Sequence, residues 1–195
     1  AARANKNLGL LDPKRASAIS KASKEIWKNK YDDQFPVDIF QTGSGTSTNM
    51  NANEVIANLS SKSSGLDINP NDHVNMSQSS NDVIPTAINM SCHCDLEKQL
   101  MPNLDALINF INIKSKELKG IVKTGRTHLM DAMPIDFSQE LSAWEGQLKV
   151  ARDNLASVGD ELLYLPQGGT AIGTGINAHP RFAKEFAKEV GVSPR

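Results

Sequence analysis

Apolar residues recur at helical spacing in four long stretches of this chain, and small polar residues fill the segments between them. The first stretch, Leu11–Tyr31, places Ala16, Ile19, Ala22, Ile26 and Trp27 on a helix. Tyr31–Gln41 holds Pro36 and an alternating Val37/Ile39 pair, which predicts extended or loop backbone. Thr46 or Ser47 is expected to cap a second helix through Met50, Val55, Ile56 and Leu59, fading over Ser60–Gly65. Ile68–Asn81 opens with Asn-Pro-Asn-Asp and reads as turn chemistry. A long helical region then runs from about Val83 to Leu118. Ile84, Ala87 and Ile88 form one face, which Leu100, Leu104, Leu107 and Ile111 continue. Pro85 fits its first turn, and Pro102 predicts a kink or break. Gly120 ends the run, and Ile121–Lys123 suggests a short strand.

The clearest pattern lies between about Asp136 and Leu163. Leu141, Trp144, Leu148, Ala151, Leu155, Val158 and Leu162 alternate spacings of three and four, a heptad seam. A helix of this extent is about 40 Å long and needs partner helices of similar length. The seam therefore predicts a bundle with room for contacts between subunits. Gly168–Gly175 reads as a flexible turn, and Pro180–Val190 as a last amphipathic helix.

Composition narrows the choice of function. The 195 residues carry 21 basic and 22 acidic side chains, a formal charge of -1, with no block of like charge. Nothing here favours nucleic acid or an anionic membrane surface. No apolar run approaches the roughly 18 residues that span a bilayer. Ala1–Leu10 has no apolar targeting core, so a cytoplasmic protein is expected, or one of the mitochondrial matrix in a eukaryote. Cys92 and Cys94 flank His93, but thiols two apart on a helix point to different sides, and no second Cys/His cluster completes a metal site. Gly173-Thr174-Gly175 resembles part of a phosphate loop. It lacks the preceding strand and the Lys-Ser/Thr ending of one.

Three polar segments remain as candidate chemistry. They are Gln41–Asn49 (QTGSGTSTN), Ser77–Asp82 (SQSSND) and Gly125–Leu129 (GRTHL), each beside a predicted helix. Their hydroxyls, amides and glycine N–H groups suit a small anion, and His128 adds a group that moves protons near neutral pH. Simpler roles exist for each. Ser44, Thr46 and Ser79–Asn81 could cap helices, and His128 could be a surface or core histidine. Capping and anion binding are compatible, because a helix N-terminus does both.

Read together, Gln41–Asn53 (QTGSGTSTNMNAN), Asn75–Thr86 (NMSQSSNDVIPT), Gly125–Pro134 (GRTHLMDAMP) and Gly168–Asn177 (GGTAIGTGIN) resemble the fumarase/aspartase superfamily, most of all its class II fumarate hydratases. The resemblance implies a mainly α subunit with a long central helix bundle. Residues 1–82 would be an N-terminal helical domain, incomplete at its start, and 83–195 the first part of the bundle domain, incomplete at its end. It implies a homotetramer with a twenty-helix core and active sites shared between subunits. It also implies reversible anti addition of water to fumarate, giving L-malate through an aci-carboxylate, with no metal or organic cofactor.

Carried over by position, the resemblance makes His128 the group handling the proton of the departing hydroxyl. Thr127 would act beside it. Ser44, Gly45, Thr46, Ser79, Ser80, Asn81 and Thr127 would hold the dicarboxylate. A secondary carboxylate site would correspond to Asn69, Pro70, Asn71 and Asp72, although the basic residues hydratases carry there are absent from the corresponding stretch, Leu66–Asp72.

His128 and Gln78–Asn81 look like the hydratases, whereas Thr46–Glu54 looks more like the aspartases, which add ammonia. Family members are about twice as long or more. The loop bearing the serine base for the carbon proton would lie beyond Arg195. This piece alone is therefore expected to be inactive, and a helical module that only self-associates is the non-enzymatic alternative.

Overall fold

A computed structural model describes residues 1–38, 40 and 45–192 of the chain. Its contacts form two compact units: Ala1–Asn89 with Tyr164–Arg195, and Met90–Leu163. The boundary expected between residues 82 and 83 falls inside the first unit.

The first unit begins with α1 (Ala2–Asn7) and α2 (Pro13–Trp27), where one helix was expected from Leu11. Asp12 starts α2 by accepting the amides of Lys14 and Arg15, and Pro13 occupies the first turn at no hydrogen-bond cost. Trp27, expected on the apolar face, ends the helix exposed. Helix α3 (Thr46–Ser64) starts one residue after Gly45, whose left-handed backbone (φ 64°) forms the N-cap. Thr46 and Ser47 thus lie inside the helix, not at its cap. Leu11, Ala16, Ala18 and Ile19 meet Ala57, Ile68 and Val74 in the core of this unit. The segment predicted as turns contains one wide helical turn, Pro70–Val74, capped by Asn69.

Asn5 is a polar anchor in this unit. It is fully buried, its Nδ2 donates to the Met76 carbonyl (2.9 Å), and its Oδ1 accepts from Ser77 Oγ (2.9 Å). Ser77 has a left-handed backbone (φ 63°), and this pair of bonds holds it there.

Helix α4 (Ser80–Asp95) begins three residues earlier than the apolar pattern suggested. Pro85 consequently sits inside the helix, and the Asn81 carbonyl loses its usual amide partner. Ala87 and Ile88, expected on a packed face, are exposed.

The second unit takes up the chain from Met90. Leu96–Leu100 forms a single wide π turn that leads directly into α5 (Met101–Glu117). Pro102 follows at the start of α5. Its ring would strike the Lys98 carbonyl of a regular helix, and the widened turn gives it room. Strands β1 (Val122–Thr127) and β2 (Met130–Asp136) pair antiparallel, a fuller hairpin than the expected strand at 121–123. Helix α6 (Phe137–Glu161) follows at once.

Helices α5 and α6 are antiparallel. Asp105 pairs with Arg152 (2.8 Å), Asn112 donates to both Glu145 oxygens (3.1 Å each), and Ser115 Oγ lies 3.3 Å from Ser142 Oγ. The packed face of α5 runs through Met101, Ile111 and Ser115, so Leu100 and Leu107 lie off it. On α6 the buried residues are Glu145 and Gly159. The Leu positions of the seam are half-buried, while Trp144 and Val158 remain 50% and 49% exposed. The seam straddles the edge of the contact: one border packs on α5 and the other faces outward.

In the first unit, Gly168–Gly175 is structured, contrary to the flexible turn expected. The amides of Gly173 and Gly175 both donate to the Gly169 carbonyl (3.0 Å each). Helix α7 (Phe182–Val190) closes the unit, with Glu189 bonded to Arg3 and Asn7 near the other end of the chain.

Asn5→Ala removes two buried hydrogen bonds and leaves the Met76 carbonyl unpaired. It should cost about 2 kcal/mol of stability. Urea unfolding followed by circular dichroism checks this, and a midpoint equal to wild type would show that Asn5 anchors nothing.

Candidate functional site

The first and second polar segments meet at the N-terminal ends of α3 and α4. Asn49, in the first turns of α3, donates to Ser80 Oγ (2.9 Å) and reaches Asn75 Oδ1 (3.5 Å). Asn53, one turn on, donates to Asn49 Oδ1 (3.4 Å). This ladder of buried amides fixes the Ser80 hydroxyl against α3. Gly45 lies so close to α4 that a Cβ there would come within 2.9 Å of Ile84. Its positive φ and this contact both demand glycine. Ser44 lies outside the described residues.

The start of α4 carries its own hydrogen-bond network. Ser79 Oγ accepts from the Asn81 amide and from Asn81 Nδ2 (3.3 Å each). Asp82 is 1% exposed and accepts the Ser79 amide at 2.9 Å. Its other oxygen accepts the amides of Gly168 (3.0 Å) and Thr170 (2.8 Å). Asn81 itself is exposed, and Ser79 and Ser80 are half-buried. A hydroxyl pair, an exposed amide and a positive helix end therefore gather on one side of the first unit, an arrangement that receives carboxylates. Sequence reasoning placed Asn49 and Asp82 in the candidate polar segments but gave neither a role of its own. Their signal was a polar residue on what becomes a buried helix face.

The third segment belongs to the second unit. Thr127 ends β1, and His128-Leu129 form the two-residue hairpin turn, both with left-handed backbone (φ 47° and 60°). Such turns favour Asn and Gly, and an ordinary residue there costs about 1–2 kcal/mol. Thr127, His128 and Leu129 are all exposed, so packing does not repay that strain here. A β-bulge between Thr124 and Arg126 brings Gly125 against the Met133 carbonyl, where a Cβ would lie 2.7 Å away. An open groove of about 450 Å³ follows the hairpin between Lys123 and Met133, but neither Thr127 nor His128 lines it.

The base of the hairpin is fastened by Asp136. It caps α6 by accepting the Ser138 amide (2.7 Å), and it also accepts the Gly120 amide (2.6 Å). The Gln139 backbone amide also donates to the Asp136 side chain, and the Gln139 side-chain oxygen accepts the Asp136 amide (3.0 Å), completing a capping box. Hydrogen bonds from Ser138, first its side chain and then its backbone, hold the Asp136 carboxyl below the ordinary Asp value, with Gly120 adding to the effect.

The other histidines serve backbone groups. His73 Nδ1 accepts the Asn69 amide (2.8 Å), His179 Nδ1 accepts the Arg181 amide (3.1 Å), and His93 Nδ1 lies 3.1 Å from the Gly159 carbonyl. At the secondary site, Asn69 Oδ1 already accepts the amides of Asn71 (2.8 Å) and Asp72 (3.0 Å). An incoming carboxylate would have to displace it. Among the described residues no three His, Cys, Asp or Glu side chains are placed to hold a metal ion. No described helix is long and apolar enough to cross a membrane.

A family model described as lyase matches residues 1–194. The chain is 51% identical over 190 residues to class II fumarate hydratase 2 of Pseudomonas aeruginosa, covering 97% of this chain and 42% of that protein. It is 46% identical over 189 residues to class II fumarate hydratase of Saccharolobus solfataricus, covering 97% and 43%. Among solved structures, class II fumarase of Schistosoma mansoni superposes with a TM-score of 0.90 at 42% identity, over 97% of this chain and 41% of that one. The chain thus spans about four-tenths of the length of these relatives.

Because the folded Asp136 carboxyl is held below its ordinary value of 3.8, it stabilises the fold fully above that pH. The contribution is lost as pH falls through the depressed value. Asp136→Asn should therefore lower the melting temperature at pH 7 and shrink the difference from wild type as pH drops below 3.8. A gap that stays constant down to acid pH would show that the charge is not involved.

Proposed function

Because this chain belongs to the lyase family, we propose that its parent enzyme hydrates fumarate reversibly to L-malate. The observation that carries this reading is the hairpin tip. His128 is held exposed on a strained turn, next to exposed Thr127 at the end of β1, where packing returns nothing, and strain kept without a structural return marks a working site.

The chemistry follows from the groups present. In the dehydration direction a proton leaves the carbon next to a carboxylate, and charge builds on that carboxylate as an aci-carboxylate dianion. Fixed donors aimed at that charge lower the barrier without having to reorganise. Ser79, Ser80 and Asn81, at the start of α4, and Gly45 and Thr46, at the start of α3, are assigned to the dicarboxylate. Ser44 and Thr127 are assigned to it on sequence. The Asn49 bond to Ser80 keeps that hydroxyl oriented.

His128 then passes a proton to the departing hydroxyl, which leaves as water. In hydration it takes a proton from the attacking water. The base for the carbon proton is assigned to a part of the parent outside these residues. No cofactor enters this scheme.

Two surfaces support assembly of the parent as a homotetramer with shared sites. Trp144 and Val158 on α6, and Phe110 and Ile113 on α5, are 46–56% exposed on helices that pack on each other along one face only. His128 stands on an exposed tip, suited to completing a site together with another subunit. We place the parent in the cytoplasm, or in the mitochondrial matrix of a eukaryote, and retain the division of its chain into an N-terminal domain (1–82) and a bundle domain (from 83). A second reading, aspartate ammonia-lyase, rests on Thr46–Glu54, which resembles that branch.

Full-length parent should deplete fumarate in water alone, followed by ultraviolet absorbance. Depletion only with added ammonium would make it the ammonia-lyase. His128→Asn should lower turnover by about 10²–10⁴-fold in a correctly assembled enzyme. An unchanged rate would remove His128 from the mechanism.

Residues 1–195 alone should be inactive on fumarate and should self-associate. The seam carries seven apolar side chains, worth on the order of 10 kcal/mol when buried at roughly 1.5–3 kcal/mol each, and three of them, Trp144, Ala151 and Val158, are exposed. Sedimentation of the purified piece measures this. A monodisperse monomer of full helical content would overturn the proposed assembly surface.

A further inference from the structure

Asp82 uses both carboxylate oxygens inside the first unit, where it is 1% exposed. One oxygen takes the Ser79 amide and the other takes the amides of Gly168 and Thr170. It cannot reach a ligand from there. What it reaches is the residue that organises the start of α4, since Ser79 Oγ in turn holds both nitrogens of Asn81.

The other end of this tie is equally constrained. Gly168 has φ +105°, and a Cβ there would lie 2.7 Å from Ala183 Cβ. Thr170 also has left-handed backbone (φ 55°). The amides that meet Asp82 are thus presented by a turn braced against α7 and closed on the Gly169 carbonyl.

Three N–H donors on one buried carboxylate demand aspartate. Asparagine would turn one acceptor into an NH₂ group facing an N–H, and glutamate would be a methylene too long.

We infer that Asp82 is a positioning residue that fastens the carboxylate-binding segment Ser79–Asn81 to the turn Gly168–Gly175, so that this turn is part of the frame of the site. The kinetic half of the inference rests on the proposed fumarate chemistry; the mechanical half does not. A displacement of the order of an ångström at such donors costs about 10²-fold in rate. Exchange of the tied amides depends on local opening, which the carboxylate suppresses.

The test uses the full-length parent with Asp82→Asn, and Ser60→Ala as control. Ser60 is equally buried, but its hydroxyl donates only to the Ile56 carbonyl of α3. Amide hydrogen exchange is measured on peptides spanning 75–85 and 166–176, alongside fumarate kinetics. Asp82→Asn should speed exchange about tenfold in both peptides and lower kcat by about 10–10²-fold, with a smaller change in KM. Ser60→Ala should leave all of these at wild-type values.

Wild-type kcat, or acceleration confined to one peptide, overturns the inference. Should Asp82→Asn fail to assemble, wild-type enzyme with and without succinate decides. The inert dicarboxylate must slow exchange in 166–176 as well as 75–85, and absence of slowing in 166–176 overturns the inference. A wild-type parent without activity on fumarate refutes the proposed reaction instead, and the exchange of Asp82→Asn still decides the fastening.

Discussion

A carboxylate withdrawn from water must be met by N–H donors, and at Asp82 this requirement shapes the first unit. Its donors are the Ser79 amide and the amides of Gly168 and Thr170, which lie 86 and 88 residues further along the chain. The unit is discontinuous, residues 1–89 with 164–195, and Asp82 ties its two parts from the inside. At the periphery Arg3 and Asn7 reach Glu189, but Arg3 is largely exposed, so that pairing is worth little. The buried tie carries direction as well as energy. It holds the first turn of α4 in place within the unit, and with it the Ser79, Ser80 and Asn81 side chains.

The same economy governs the other polar groups of that unit. Asn49 and Asn53 are buried on α3, where apolar residues would pack at lower cost. They form a ladder whose last rung is the Ser80 hydroxyl. Buried amides of this kind fix the orientation of a half-buried hydroxyl more firmly than packing alone, because a half-satisfied network is unfavourable. Gly45 contributes by absence: with no Cβ it lets the start of α3 approach Ile84.

The second unit shows the opposite balance. Its helices pair through polar contacts as much as apolar ones, with Glu145 buried and met by Asn112 and Lys149. Much of the apolar surface of α5 and α6 stays outside that pairing. The hairpin projects from the end of this pair, secured at its base by Asp136 and Gly120 and strained at its tip. A fastened base with a tense, exposed tip leaves the His128 ring open to solvent.

The helices were legible in the sequence because each repeats a local rule. Heptad spacing from Leu141 to Leu162 requires a long helix wherever its partners lie, and Pro102 requires a break wherever the chain then turns. The polar segments stood out too, as clusters of small polar residues, and the first two of them meet at the starts of α3 and α4. What the sequence could not state was which border of the seam is covered, because a stripe of apolar residues specifies burial without naming the partner. Nor could it show that Gly168–Gly175 is a brace, which depends on Asp82 meeting amides 86 and 88 residues away. The start of α4 at Ser80 is local by contrast, fixed by Ser79 with Asn81 and Asp82, and Ser79–Asn81 already read as a possible cap. The strain at His128 and Leu129 was likewise hidden, since neither residue is typical of a two-residue hairpin turn. Local periodicity and local caps set where helices form and begin; only long-range hydrogen bonds and close contacts decide how they are held within their unit and which of their polar groups stay exposed.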